Sequence, residues 1–179
     1  ALAMSFRQTK ENVAANVYNN AFSNTYAGGD GVALCSTAHP NTSGGTFANK
    51  PTVDVDLSEA SLEDAHIAVM GFQNDRGLLI NVMPESLHVA RQEWYNANRI
   101  LKSVYTPGSA NNDINVLKAT NALPEGIVMN HYLTSPHAWF LRTNIQNGMK
   151  YYERVGVTFD QDNDFDTMNA KAKGYERYS

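Results

Sequence analysis

Leu2-Ala-Met-Ser-Phe6-Arg-Gln-Thr-Lys10-Glu-Asn-Val13-Ala-Ala-Asn-Val17-Tyr-Asn-Asn-Ala21-Phe22 is the stretch from which the fold is read. Its apolar residues Leu2, Phe6, Val13, Val17 and Ala21 recur at steps of four and seven. At 3.6 residues per turn those steps fall on one stripe, which predicts a single helix over 2–22 with that stripe buried. Such a helix is about 30 Å long at ~1.5 Å per residue. Gly28-Gly29 and Asp30-Gly31 stop it from running further. The opposite side carries amides, Gln8, Asn12, Asn16, Asn19 and Asn20. That side is satisfied by water and equally suits lying against another protein.

Outward from this helix the pattern changes. Residues 23–56 hold Gly28, Gly29, Gly31, Gly44 and Gly45 with Pro40 and Pro51 among many Ser, Thr and Asn. A long excursion with little regular structure is expected there, of the kind that serves as a contact surface. Asp56-Leu-Ser-Glu59 reads as a helix start with an acidic first turn, and Leu62, Ala65, Val69 and Phe72 form the buried stripe of a second helix closed by Asn74, Asp75 and Gly77. Leu78 to Met83 is an apolar run stopped by Pro84; Leu87 and Val89 alternate with polar neighbours; Trp94, Ala97 and Leu101 return to helical spacing. Thr106 to Asp113 is an exposed loop, and residues 105–112 join the excursion as an expected contact surface. Strand-like runs follow at Ile127 to Leu133 and Ala138 to Arg142. Val155, Val157 and Phe159 alternate toward an Asp-rich turn, and Met168, Ala170 and Ala172 alternate on the way back, which predicts a long antiparallel hairpin. The order of helices and strands makes the chain α+β.

Composition narrows the function. Of 179 residues, 42% are apolar, enough for one core or two small lobes. A net charge of -4 provides no basic field for reading nucleic acid. Cys35 is the single cysteine, so no internal disulfide forms and synthesis in a reducing cytosol fits. No run approaches the ~18 apolar residues that span a bilayer, and Ala1 to Lys10 lacks the order of a signal peptide. Opening at Ala1 and stopping on the strand-like Gly174-Tyr-Glu-Arg-Tyr-Ser179, the sequence is expected to be the ordered part of something longer.

Candidate chemistry is sparse. Asp160, Asp162 and Asp164 have the spacing that opens a calcium loop, but Phe165 stands where Gly is required and Lys171 where a bidentate Glu is needed. A metal-free hairpin tip is the better reading. Cys35 and His39, four apart, are a conceivable nucleophile and base, although a lone Cys in a Gly/Ser-rich loop is more often inert. His131 and His137 lack a third ligand at a recognisable spacing. Phe72, Trp94, Trp139, Phe140 and Tyr151, without interleaved Lys and Arg, read as core and not as a stacking platform. No P-loop, dinucleotide fingerprint or nucleophile elbow is present. Catalytic, cofactor and metal residues are therefore expected to be none.

Several stretches resemble the major capsid proteins of tailed bacteriophages, in particular the Mu-like head subunits. They are Gln8-Thr-Lys-Glu-Asn-Val-Ala-Ala-Asn-Val17, Gly29-Asp-Gly-Val-Ala-Leu-Cys-Ser-Thr-Ala-His-Pro40, Asp56-Leu-Ser-Glu-Ala-Ser-Leu-Glu63, Arg99-Ile-Leu-Lys-Ser103, Asn112-Asp-Ile-Asn115, Asp162-Asn-Asp-Phe-Asp166 and Tyr175-Glu-Arg-Tyr-Ser179. Each is weak alone; together, in order along nearly the whole chain, they are fairly specific. The resemblance implies the Johnson fold, the Hong Kong 97-like capsid fold, with a spine helix, a long-stranded peripheral sheet and an axial α/β domain. Residues 1–56 would be the first part of the peripheral domain, 57–140 the axial domain and 141–179 the returning peripheral strands. The N-terminal arm, the extended loop and the short C-terminal tail of that family are expected to be missing from this sequence.

The resemblance further implies a structural protein that is not an enzyme and uses no cofactor. Its partners would be copies of itself in pentamers and hexamers, scaffold, portal and decoration proteins, and packaged double-stranded DNA held without sequence preference. Made in the bacterial cytoplasm, it would reside in the virion capsid. An encapsulin-like compartment shell is the alternative; a small hydrolase using Cys35 and His39 and a glycan-binding tail module are weaker rivals.

Overall fold

The computed structural model describes residues 2–146, 148–163 and 166–179. Helices and strands are mixed as in an α+β protein, and the chain divides into two units, Ala1–Asn12 with Gln146–Ser179, and Val13–Ile145.

Helix α1 spans Leu2–Asn19 and stops three residues before the expected end at Phe22. Its last bonds tighten, Asn20 N–H donating to Asn16 O at 3.0 Å and Ala21 N–H to Tyr18 O at 3.1 Å. The Asn19 side chain turns outward to donate to Tyr132 O at 3.0 Å and to accept from Thr134 N–H at 2.9 Å. An amide with partners outside the helix favours its termination. The expected buried stripe is corrected in part: Ala21 is fully buried as expected, but Leu2, Val13 and Val17 remain 45%, 46% and 43% exposed, and Ala15, outside the stripe, is fully buried. Packing uses the side carrying Ala15 and Tyr18, so the valines face a groove instead of a layer.

In the larger unit the central strand β3, Pro84–Ala90, lies between β4, Gly126–Asn130, and β5, Trp139–Thr143. β4 runs parallel to β3, and β5 antiparallel. The parallel pair needs a crossover, supplied by α3, Trp94–Lys102, and α4, Val116–Ala119. Alternation along β3 sends Leu87 and Val89 into a core with Leu57, Leu62, Ala97, Ile100, Leu117 and Leu123. Ser86 and His88 take the other face and are buried too, where Tyr18 stacks on His88 at 5.5 Å and lies 5.0 Å from Phe140. A strand buried on both faces is the central strand.

Helix α2, Glu59–Met70, begins with a capping box in which Ser58 and Ser61 bond reciprocally. It buries Leu62, His66 and Val69. The apolar run Leu78 to Met83 forms no strand beyond a bridge from Leu79 to Gln73. Asn74 Oδ1 accepts from Arg76 and Leu78 N–H at 2.9 Å each, and Gly77 takes φ +79°, closing a tight turn there. The strand that carries the expected alternation of Leu87 and Val89 starts at Pro84, the residue expected to stop the preceding run. Proline is tolerated at a first strand position because it owes the ladder no N–H there.

In the smaller unit, β6, Glu153–Asn163, and β7, Ala170–Tyr178, form an antiparallel hairpin as expected, but β6 runs on through Asp160 and Asp162, which were expected in the turn and instead pair with Lys173 and Lys171, and Met168 precedes β7. Register shifts between Glu153 and Val155 and between Val155 and Thr158 place extra residues in β6; beyond them Thr158–Asn163 pairs regularly with Ala170–Tyr175. Phe6 covers one face, edge-on to Phe159 at 5.8 Å and directly over Gly174. Lys10 closes the same face with a 2.8 Å ion pair to Glu176, and that bond holds its ammonium pKa above the ordinary lysine value.

Candidate functional surfaces

Side-chain amides hold the 23–56 excursion where helices and strands do not. Its regular pieces are the 3-10 turn Asn24–Tyr26 and a two-residue pair between β1, His39–Pro40, and β2, Thr46–Phe47. Asn49 donates to Leu34 O at 2.7 Å and accepts from Ser36 N–H at 2.8 Å, while Asn24 accepts from Ala33 N–H at 3.2 Å. Cys35 is tied through its backbone, its N–H donating to Ala21 O at 2.7 Å.

His39 bonds Asp30, not Cys35. Its Nδ1 lies 2.6 Å from Asp30 Oδ2, its ring stacks on Phe47 at 5.0 Å, and its Nε2 is buried with no hydrogen-bond partner among the described residues. The His39 bond, aided by Val32 N–H, holds the Asp30 carboxyl below the ordinary carboxylate range. Burial pushes the Cys35 thiol up, which disfavours the thiolate a nucleophile needs. The dyad weighed from the sequence is thus not assembled. The Asp30–His39 pair lines a groove of ≈ 510 Å³ together with Val13, Val17, Tyr26 and Leu34. Apolar walls with few polar groups suit a protein segment as well as a small molecule.

The other candidate ligands stay apart. His131 is exposed after β4, and His137 Nδ1 bonds Glu93 Oε1 at 2.9 Å. Asp160 pairs with Lys173 at 3.1 Å, Asp162 faces Lys171 across the hairpin, and Asp164 and Phe165 lie outside the described residues. Among the described residues no three His, Cys, Asp or Glu side chains are grouped to hold a metal ion. Two buried histidines were not singled out from the sequence. Burial lowers the pKa of both His66 and His88, with Arg142 adding to the effect on His88. The signals were present: His66 follows Leu62 by four on the buried face of α2, and His88 sits between two inward residues of β3.

Exposed apolar side chains are the more telling feature. After α2, Leu78 and Leu79 are 63% and 72% exposed, with Ile67, Met70 and Met83 also uncovered. A second group surrounds the base of the 105–114 loop, where Tyr105 and Ile114 bridge and Val104 and Val116 flank them, all exposed. Apolar groups clustered at the surface of a folded chain mark contacts with other protein. Among the described residues no helix is long and apolar enough to cross a membrane.

A family model described as phage capsid protein matches residues 1–179. No curated protein and no solved structure matches the chain.

Proposed function

This chain belongs to the phage capsid protein family, and on that premise we propose that it is a major head subunit of the Mu-like branch whose copies close into an icosahedral shell around double-stranded DNA. The observation that carries the reading is a family match extending over the whole of residues 1–179. The uncovered apolar groups at Leu78, Leu79, Tyr105 and Ile114 support it, because a subunit completed by neighbours leaves such groups open until it assembles.

In the Hong Kong 97-like capsid fold, α1 would be the spine helix and the β6–β7 hairpin the long peripheral strands. The sheet β4-β3-β5 with α2, α3 and α4 would form the axial domain. The expected axial range 57–140 would then extend to the end of β5 at Thr143, and the peripheral domain would comprise residues 1–56 and those after β5. The 23–56 excursion and the 105–112 loop are contact surfaces within rings of five and six copies. Scaffold, portal and decoration proteins meet the shell elsewhere. A net charge of -4 suits a wall that confines DNA, since a strongly cationic lining would bind it and oppose release.

The nucleic-acid content of particles purified from infected cells tests the reading. Particles built of this chain should hold double-stranded DNA; particles of the same build filled with protein cargo would replace a phage head with a compartment shell.

A further inference from the structure

Strands β6 and β7 form a two-stranded ribbon, and among the described residues neither outer edge is hydrogen-bonded to another strand. A ribbon of this kind is marginal in water. Phe6 and Lys10 cover one face, but Thr158–Asn163 and Ala170–Lys173 are exposed throughout. About half the backbone N–H and C=O groups of each strand point outward from such a pair, a template for strand addition.

The two edges differ in charge. On the regular part of the ribbon, β6 carries Asp160 and Asp162, and β7 carries Lys173 and Lys171 directly opposite them. Asp160 and Lys173 are 68% and 78% exposed even while paired at 3.1 Å. One edge is therefore acidic and the other basic. Edges blunted against aggregation with a single sign would repel every copy; opposite signs repel only β6 from β6 and β7 from β7.

We infer that the two edges are mutual docking surfaces between copies of this chain: the Asp160/Asp162 edge of one β6 adds to the Lys171/Lys173 edge of the next copy's β7. This rests on the shell-subunit reading. With ribbons in the same orientation, β7 of one copy runs antiparallel to β6 of the next, so an antiparallel sheet continues across the boundary with acidic and basic strands alternating. The contact is head-to-tail, and each copy keeps one edge for each neighbour, so it propagates through many copies where a self-complementary contact would end in a dimer. The extra residues in β6 near Val155 confine this pairing to the regular segment from Thr158 onward.

A charge swap tests it in the full-length protein. The quadruple variant Asp160→Lys, Asp162→Lys, Lys171→Asp, Lys173→Asp keeps the pairs inside its own hairpin but reverses both edges. Expressed alone, it should assemble as the natural chain does. Expressed together, the two chains should form separate particles, with mixed particles depleted roughly tenfold or more by the like-charged edges; intact-mass analysis of single purified populations reads the ratio. Mixing at the statistical ratio would overturn the edge inference and leave the capsid reading intact. A quadruple variant that stays monomeric beside an assembling natural chain would overturn it as well. If the natural chain itself formed no particles, the shell reading would fall and this inference with it.

Discussion

Replacing Gly174 by Ala should loosen the β6–β7 ribbon through a single contact. A Cβ at this position would lie 2.6 Å from Phe6 Cε2, 2.9 Å from Phe6 Cζ and 3.1 Å from Phe159 Cδ1. Carbon atoms prefer roughly 3.5–4.0 Å, so the Phe6 ring must retreat by about 1 Å. Phe159 holds that ring edge-on at 5.8 Å and 83°. Overpacking of this kind costs about 1–3 kcal/mol, and the smaller entropy loss of Ala in a strand offsets about 0.5–1 kcal/mol of it. The difference leaves a net loss of up to about 2.5 kcal/mol with a middle value of about 1 kcal/mol, which corresponds to a factor of roughly 5 in the opening equilibrium. Trp94 and Trp139 both belong to the unit Val13–Ile145 and cannot report it, so the assay is hydrogen exchange of peptides from β6 and β7. Exchange there should accelerate in Gly174→Ala but be unchanged or slower when the same change is made in a Phe6→Ala chain. Equal acceleration in both backgrounds would refute the contact as the cause.

Asn115 is 1% exposed, caps α4 by accepting from Lys118 N–H at 3.2 Å, and donates to Ile100 O and Ser103 Oγ. Losing the cap and leaving a buried carbonyl without its donor should make Asn115→Ala about 2–4 kcal/mol less stable in urea unfolding followed by tryptophan fluorescence. The lowered pKa values of His66 and His88 mean that the unfolded chain binds protons the folded one resists. Stability should hold above about pH 6.5 and fall as the pH drops from there toward the folded-state values. His88→Gln should flatten part of that slope. Val17→Asp, at a position 43% exposed, should change subunit stability by no more than about 0.5–1 kcal/mol; a shift of several kcal/mol in thermal unfolding would mean that Val17 is buried after all.

What the sequence disclosed follows local physics. The capped start of α2, the helical spacing of Trp94 and Ala97, and the existence of two antiparallel strands near the end of the chain are set within a few residues and reappear, whereas Met168 stays outside β7 and Ala170 and Ala172 pair with Asn163 and Gln161 without alternating in burial. What depended on distant partners was less legible. The side of α1 that packs is decided by Phe140 and His88, more than sixty residues away, so periodicity alone could place a stripe but not say what covers it. Pro84 became a strand start because β5 reaches it at Thr143, across a register shift between Pro84 and Ser86. Cys35 and His39 are close in sequence, yet the turn through Gly31 brings Asp30 to the imidazole first. The charge sorting of the ribbon was visible in the residues as an acidic tip; only the register shows that Lys171 and Lys173 face it.

The central claim is that this chain is a subunit of a closed shell, and electron cryomicroscopy of the purified full-length protein tests it most directly. Images should show closed particles of many copies, in whose reconstruction the exposed groups at Leu78, Leu79, Tyr105 and Ile114 are covered by neighbouring subunits. Fields holding only monomer-sized particles at high protein concentration would contradict it.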